Sequence, residues 1–266
     1  MNIVKFFQNL YENRKLIGKL AKNDFKTKYA GSYLGIIWAF VQPIVTILVY
    51  WFVFTVGLKA GTVSDFPFAL WLMAGIIPWF FFQEALNSGT SAMVEYSYLV
   101  KKVVFKIDIL PVVKILSALF VHVFFIFFVI LVYALNGYMP TVYTLQVIYY
   151  SFCLICLVTG MVYFTSAIMV FFRDLSQLIN VILQVGIWMT PIMWNVEQVI
   201  PAKYLWIFNL NPVYYIVVGY RDAFIYHGCF WQHAGTTIYF WIFTILMYII
   251  GTRVFKNLQV HFADVL

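Results

Sequence analysis

An all-α membrane protein with six transmembrane helices is the fold class the sequence predicts, and three observations carry it. Of the 266 residues, 64% are hydrophobic and only 10% charged, a balance that a water-soluble core of this size does not absorb. The apolar residues fall in long runs, most of them near the roughly 20 residues a helix needs to cross a bilayer. All lysines and arginines except Lys59, Lys203 and Arg221 lie on one side of the alternation those runs create, the side that holds both termini. The positive-inside rule makes that side cytoplasmic. The formal charge of +7 therefore marks a membrane face rather than a groove for nucleic acid, and the expected surroundings are membrane lipids.

The elements follow in order within one transmembrane domain over 1–266. In residues 1–30, Ile3, Phe6, Phe7, Leu10, Ile17, Leu20 and Ala21 recur at helical spacing opposite Lys5, Arg14, Lys15 and Lys19. That pattern predicts an amphipathic helix lying along the membrane surface, with a soluble helix packed on a partner as the other reading. No apolar stretch follows the first charges at the distance a cleavable signal requires. The first span is expected over 33–56, bent at Pro43. After a polar turn at 57–65 the second span covers 67–93 and contains Pro78 and the polar pair Gln83 and Glu84. Residues 95–106 are too short and too charged to cross, so they lie at one face. A third span ends near 135, a turn occupies 136–140, and a fourth span ends near 172. The fifth covers 175–194 and the sixth 236–255. Between them, residues 195–233 are interrupted by Pro201 and Pro212 and fold either as re-entrant half-helices or along the outer surface.

Little in the chain suggests chemistry. Cys153 and Cys156 form a C-x-x-C spacing, but inside an apolar run with no second pair and no adjoining histidine. There is no G-x-x-x-x-G-K-[ST] phosphate loop, so the chain is not expected to hydrolyse nucleotide itself. No catalytic or metal-ligating constellation appears, and no cofactor is expected in this chain.

Several polar residues inside apolar spans carry the candidate site. Glu84 is costly to bury and reads either as a gate or as the partner of a lysine near the cytoplasmic end. Gln177, Asn180 and Gln184 fall at i, i+3 and i+7 on one face of the fifth span, pointing at a polar conduit or at another helix. Trp38, Gln42, Thr46 and Tyr50 form a comparable stripe on the first span. Aromatic residues make up 21% of the chain, and although membrane anchoring and packing account for most, flat rings also suit sugar faces.

Several segments together resemble a known family. They are Tyr33-Leu34-Gly35 with Trp38 and Pro43, Leu99-Val100-Lys101-Lys102 to Phe105, Phe172-Arg173-Asp174, Thr190-Pro191-Ile192-Met193-Trp194, and Asn211-Pro212 with Gly219-Tyr220-Arg221. In this order the chain resembles the permease subunits of bacterial ABC exporters of polysaccharide and polyol phosphate. His261-Phe262-Ala263-Asp264 and Leu48-Val49-Tyr50-Trp51-Phe52 are most similar to the wall teichoic acid branch, with O-antigen or capsule export as the alternative.

The resemblance implies a homodimer in the cytoplasmic membrane, bound to two copies of a separate ATPase that holds ATP and magnesium. A lipid-linked glycan polymer would pass between the two permeases. It assigns ATPase coupling to Tyr98, Leu99, Lys101, Lys102 and Phe105. Lys26, Lys28, Lys101 and Lys102 read either as attractors of the carrier diphosphate or as ordinary positive-inside anchors. Arg221 reads either as part of the outer half-helix machinery or as the partner of Asp222. Two rivals remain: an ion-coupled secondary transporter using Glu84 or His122, and a membrane glycan transferase using His227, His233 and Asp222.

Overall fold

The computed structural model describes residues 8, 10–59, 61–63, 66–101 and 106–266. The longer helices are α1 (Arg14–Lys28), α2 (Trp38–Trp51), α3 (Phe68–Thr90), α4 (Leu110–Leu135), α5 (Gln146–Met169), α6 (Leu175–Met189), α7 (Pro212–Arg221) and α8 (Ala234–Leu258). Among the described residues the fold is all-α apart from two two-residue strands, Thr62–Val63 and Phe66–Pro67, which pair antiparallel where the sequence suggested only a turn.

Among the described residues, five helices are long and apolar enough to cross a bilayer: Gly35–Gly57, Phe68–Thr90, Ile107–Leu135, Val142–Met169 and Phe230–Val265. The fifth expected span is shorter than its apolar run. α6 has 15 residues, which at 1.5 Å per residue is about 22 Å against a hydrocarbon core of about 30 Å. It stops because Pro191 disfavours the helical conformation in the residue before it, and Thr190 is extended, with φ −90° and ψ 118°. Residues 190–194, assigned to this span from hydropathy, instead form the junction described below.

Burial is uneven. Of the most apolar stretch in each span, 72% is buried in α3 but only 11% in Gly35–Gly57, which contains α2. α3 is the hub, packed by α4, α5, α6 and α7, with Trp71, Leu72, Ile76 and Ile77 inside. α5 and α8 approach through glycine: a Cβ on Gly160 would lie 2.8 Å from the Tyr248 amide, and one on Gly251 would lie 2.3 Å from the Gly160 carbonyl. Small residues at such a crossing let two apolar helices gain close van der Waals contact where no hydrophobic force separates protein from lipid.

A cluster of Tyr96, Leu110, Tyr163, Phe255 and Phe262, with Leu10 and Leu266 packed against it, gathers both ends of the chain at one end of the bundle. That end is called terminal here, and the opposite one distal. α1 docks at the terminal end by setting Ile17 and Ala21 against Ile109 and Val113 of the α4 start. Ile3, Lys5, Phe6 and Phe7 of the expected amphipathic face lie outside the described residues.

Candidate functional site

A cavity of about 340 Å³ lies between α2, α3 and α4. Its α2 wall is the stripe read from the sequence: Trp38, Gln42, Thr46 and Tyr50, four residues apart and therefore on one helix face. α3 contributes Gln83, Glu84 and Asn87, while His122 of α4 completes the lining. Lys28, at the end of α1, forms an ion pair with Glu84, and each side chain is 40% exposed. Glu84 therefore has the lysine partner that one reading expected, and it also lines the cavity. Burial of Lys28 works to lower its pKa, but the charge and hydrogen bond of Glu84 outweigh it, and the net shift is upward.

His122 is a buried member of this lining. Its Nε2 lies 3.0 Å from the Tyr220 hydroxyl and 3.3 Å from Ser151 Oγ, and those two hydroxyls are 2.6 Å apart. Its ring stacks on Phe81 at 4.6 Å, and Nδ1 has no hydrogen-bond partner. Other expected residues are elsewhere. Gln177, Asn180 and Gln184 are all exposed, because α6 turns Ile179 and Leu183 inward, and they do not line this cavity. Lys26 is exposed on α1 and likewise outside it.

Beneath the cavity, at the terminal end, lies a group the sequence reading missed. Lys114 Nζ meets Asp24 Oδ1 at 2.6 Å and also bonds to Glu95, while the Tyr96 hydroxyl donates to Asp24 Oδ1 at 2.7 Å. Asp24 and Lys114 are both 6% exposed. Burial, with the nearby Asp24 carboxylate, holds the Tyr96 phenol well above its ordinary value. The group ties α1, the start of α4 and the segment after α3 into one joint. A signal did exist, for Asp24 continues the spacing of Ile17 and Ala21 on the apolar face of α1. Just beyond the joint runs the short helix Ser97–Val100, with Tyr98 59% exposed, Leu99 half-buried and Lys101 exposed. Lys102 and Phe105, expected in the same coupling role, lie outside the described residues.

At the distal end, two of the sequence signatures form a single junction. Asn211 caps α7: its Oδ1 accepts from the Val213 amide at 3.0 Å, its Nδ2 donates to Thr190 Oγ1 at 2.9 Å, and Pro212 fills the first helical position. From the far end of α7, Arg221 donates to the carbonyls of Pro191 and Ile192, both at 2.9 Å. Its guanidinium lies 3.4 Å from the Trp71 ring centre, above Gly75, where a Cβ would sit 3.0 Å from Nη2.

The pairing of Arg221 with Asp222 is therefore corrected. Successive residues on a helix point in different directions, and Asp222 meets His233 at 3.2 Å. Arg221 lies outside the cavity, as a clamp on the chain leaving α6. His227 packs against the Tyr143 ring, so the three residues named for a transferase are only partly brought together.

The sequence model of the ABC-2 type transporter family matches residues 15–225. The O-antigen export system permease protein RfbA of Klebsiella pneumoniae is 24% identical over 270 residues, covering 99% of each chain. RfbA of Myxococcus xanthus is 26% identical over 227 residues, 85% of this chain and 86% of that one. The polysialic acid transport protein KpsM of Escherichia coli is 23% identical over 236 residues, 88% of this chain and 90% of its own. Since the family match runs from α1 through α7, taking in the buried joint, the cavity and the distal junction, the chain belongs to the ABC-2 type transporter family.

Proposed function

We propose that the chain is the bilayer-spanning permease of an ATP-driven exporter of a cell-surface polysaccharide, of O-antigen or capsule type. The observation that carries the reading is alignment along nearly the whole chain with permeases named for such polymers. Wall teichoic acid, favoured by the C-terminal tail and residues 48–52, has no support among these relatives, whose names concern O-antigen and polysialic acid. In this reading the terminal end faces the cytoplasm, which the lysine and arginine distribution supports. Energy comes from a separate ATPase, and the working unit is two permeases with two ATPases.

The ATPase pushes on the exposed helix Ser97–Val100. Glu95 and Tyr96 hand that displacement to Lys114 and Asp24, so the segment, α4 and α1 move together. Lys28 sits one turn beyond Asp24 on α1, and its pair with Glu84 is half-exposed at the cavity. Motion of α1 therefore strains the contact most easily broken. Once it opens, Lys28 presents a cation at a chamber walled by Trp38, Gln42 and Tyr50, suited to a diphosphate carrier and its first sugars. Closure of the ATPase pair thus biases an element with two arrangements.

The test is reconstitution. Proteoliposomes containing the chain and its ATPase are expected to move a polyprenyl-diphosphate-linked polysaccharide only when ATP is supplied. Movement by the chain alone, with or without an ion gradient, would overturn the reading.

A further inference from the structure

A second cavity, of about 200 Å³, opens at the distal end between the start of α5, α7 and the residues leading into α8. Its walls include the rings of Tyr150, Tyr214 and Tyr215, and its polar edges include Glu197, Asn209 and Asp222.

Two of the rings are held rigidly. Tyr150 packs on Gly219, where a Cβ would come within 2.1 Å of it, and lies edge-on to Tyr215 at 5.6 Å. Tyr215 in turn stacks on Phe240 at 4.8 Å and shares a hydrogen bond with Thr237 at 3.0 Å. Both are nearly covered, at 1% and 7% exposed, so they form a fixed floor, and the half-buried Tyr214 presents the accessible ring. Asp222 is only 5% exposed, and its Oδ2 makes no well-aligned hydrogen bond, His233 Nε2 being its neighbour at 3.2 Å. Among the described residues no lysine or arginine lines this cavity, whereas Lys28 lines the one at the terminal end.

These features match one ligand chemistry. A hexose has an apolar face of C–H groups that lies against an aromatic ring, and a rim of hydroxyls that donate to carboxylates in charge-assisted bonds. A phosphate or carboxylate on the ligand would instead face the carboxyl groups of Glu197 and Asp222 with no lysine or arginine in the lining to offset them. We propose that the distal cavity is a sugar-binding subsite that takes an uncharged, hydroxyl-rich hexose unit of the emerging polymer and rejects polyol phosphate. The ligand's source rests on the exporter reading, since the cavity then lies on the exit side.

The complex of the chain with its ATPase, in nanodiscs, is titrated with mannose, glucose and galactose oligosaccharides and with an oligo(glycerol phosphate), binding being read by saturation-transfer NMR. At least one neutral oligosaccharide is expected to bind, and the phosphate oligomer is not. Glu197→Gln and Asn209→Ala change exposed residues, and Tyr214→Leu keeps bulk without a flat ring; each is expected to weaken binding fivefold or more. The subsite is refuted if no neutral oligosaccharide binds, if binding ignores all three substitutions, or if the phosphate oligomer binds as well. ATP-driven export by the same complex is measured in parallel. Export without sugar binding removes the subsite alone, whereas absent export removes the proposed function.

Discussion

Asp24 and Lys28 stand one turn apart on α1, and each forms an ion pair across to another helix, yet the two contacts are physically different. In the Asp24–Lys114 pair the side chains are 8% and 7% exposed, while in the Lys28–Glu84 pair both are 40% exposed. A buried pair loses hydration for both charges, so removing one partner leaves the other stranded. A half-exposed pair exchanges with water at little cost. One helix therefore carries a rivet and a latch, and the depth of each charge decides which is which.

The largest expected effect tests the rivet. Lys114→Met leaves Asp24 buried without its cation and is expected to cost about 3–5 kcal/mol, seen as a large drop in the thermal midpoint of the purified complex. Adding Asp24→Asn should recover most of it. A loss in Lys114→Met no larger than that in Glu84→Gln would erase the distinction.

A second, smaller effect sharpens the comparison at the other end of the bundle. Arg221 is as buried as Lys114 but holds carbonyls rather than carboxylates. Arg221→Met removes both bonds but strands no opposite charge and spares the desolvation of a buried guanidinium, so the net cost is expected to be about 1.5–3 kcal/mol. The outcome to check is a midpoint between those of Lys114→Met and the unaltered chain, with proteolysis increased near residues 190–212.

The smallest stability effect belongs to the latch. Glu84→Gln is expected to change stability by less than about 1 kcal/mol while altering ATP-driven export severalfold, because it touches the cavity and not the core. A folded-state pKa raised above the ordinary lysine value means that the contribution of Lys28 is complete below that value and lost only as pH climbs through the raised one. Lys28→Gln should accordingly leave the pH dependence of the midpoint unchanged between pH 7 and 9. A pH-dependent midpoint difference in that window would contradict the assignment.

Much of the site was legible in the sequence where one helix was enough to define it. The stripe Trp38, Gln42, Thr46 and Tyr50 was read from spacing alone, and it does form one wall of a cavity. The amides of α6 were read from the same kind of spacing, but the orientation of that helix turns them away from the bundle. The resemblance carried by Thr190-Pro191 and Asn211-Pro212 with Arg221 was visible as separate fragments, and their shared hydrogen bonds were not. Lys114 was counted as a flanking positive charge because hydropathy averages over a window and cannot tell that a carboxylate waits at that depth.

By itself, the sequence determined that the chain is helical and membrane-embedded, where most helices run, and that polar stripes interrupt them. The reason is that transfer of a helix into hydrocarbon is a sum over neighbouring residues, which a linear pattern contains in full. Only the tertiary structure decided that the amides of α6 face outward and that Asp24 meets Lys114 across 90 positions of sequence. Such pairings depend on which helix faces pack together, and packing is settled by side-chain fit among distant segments rather than by the composition of any one of them.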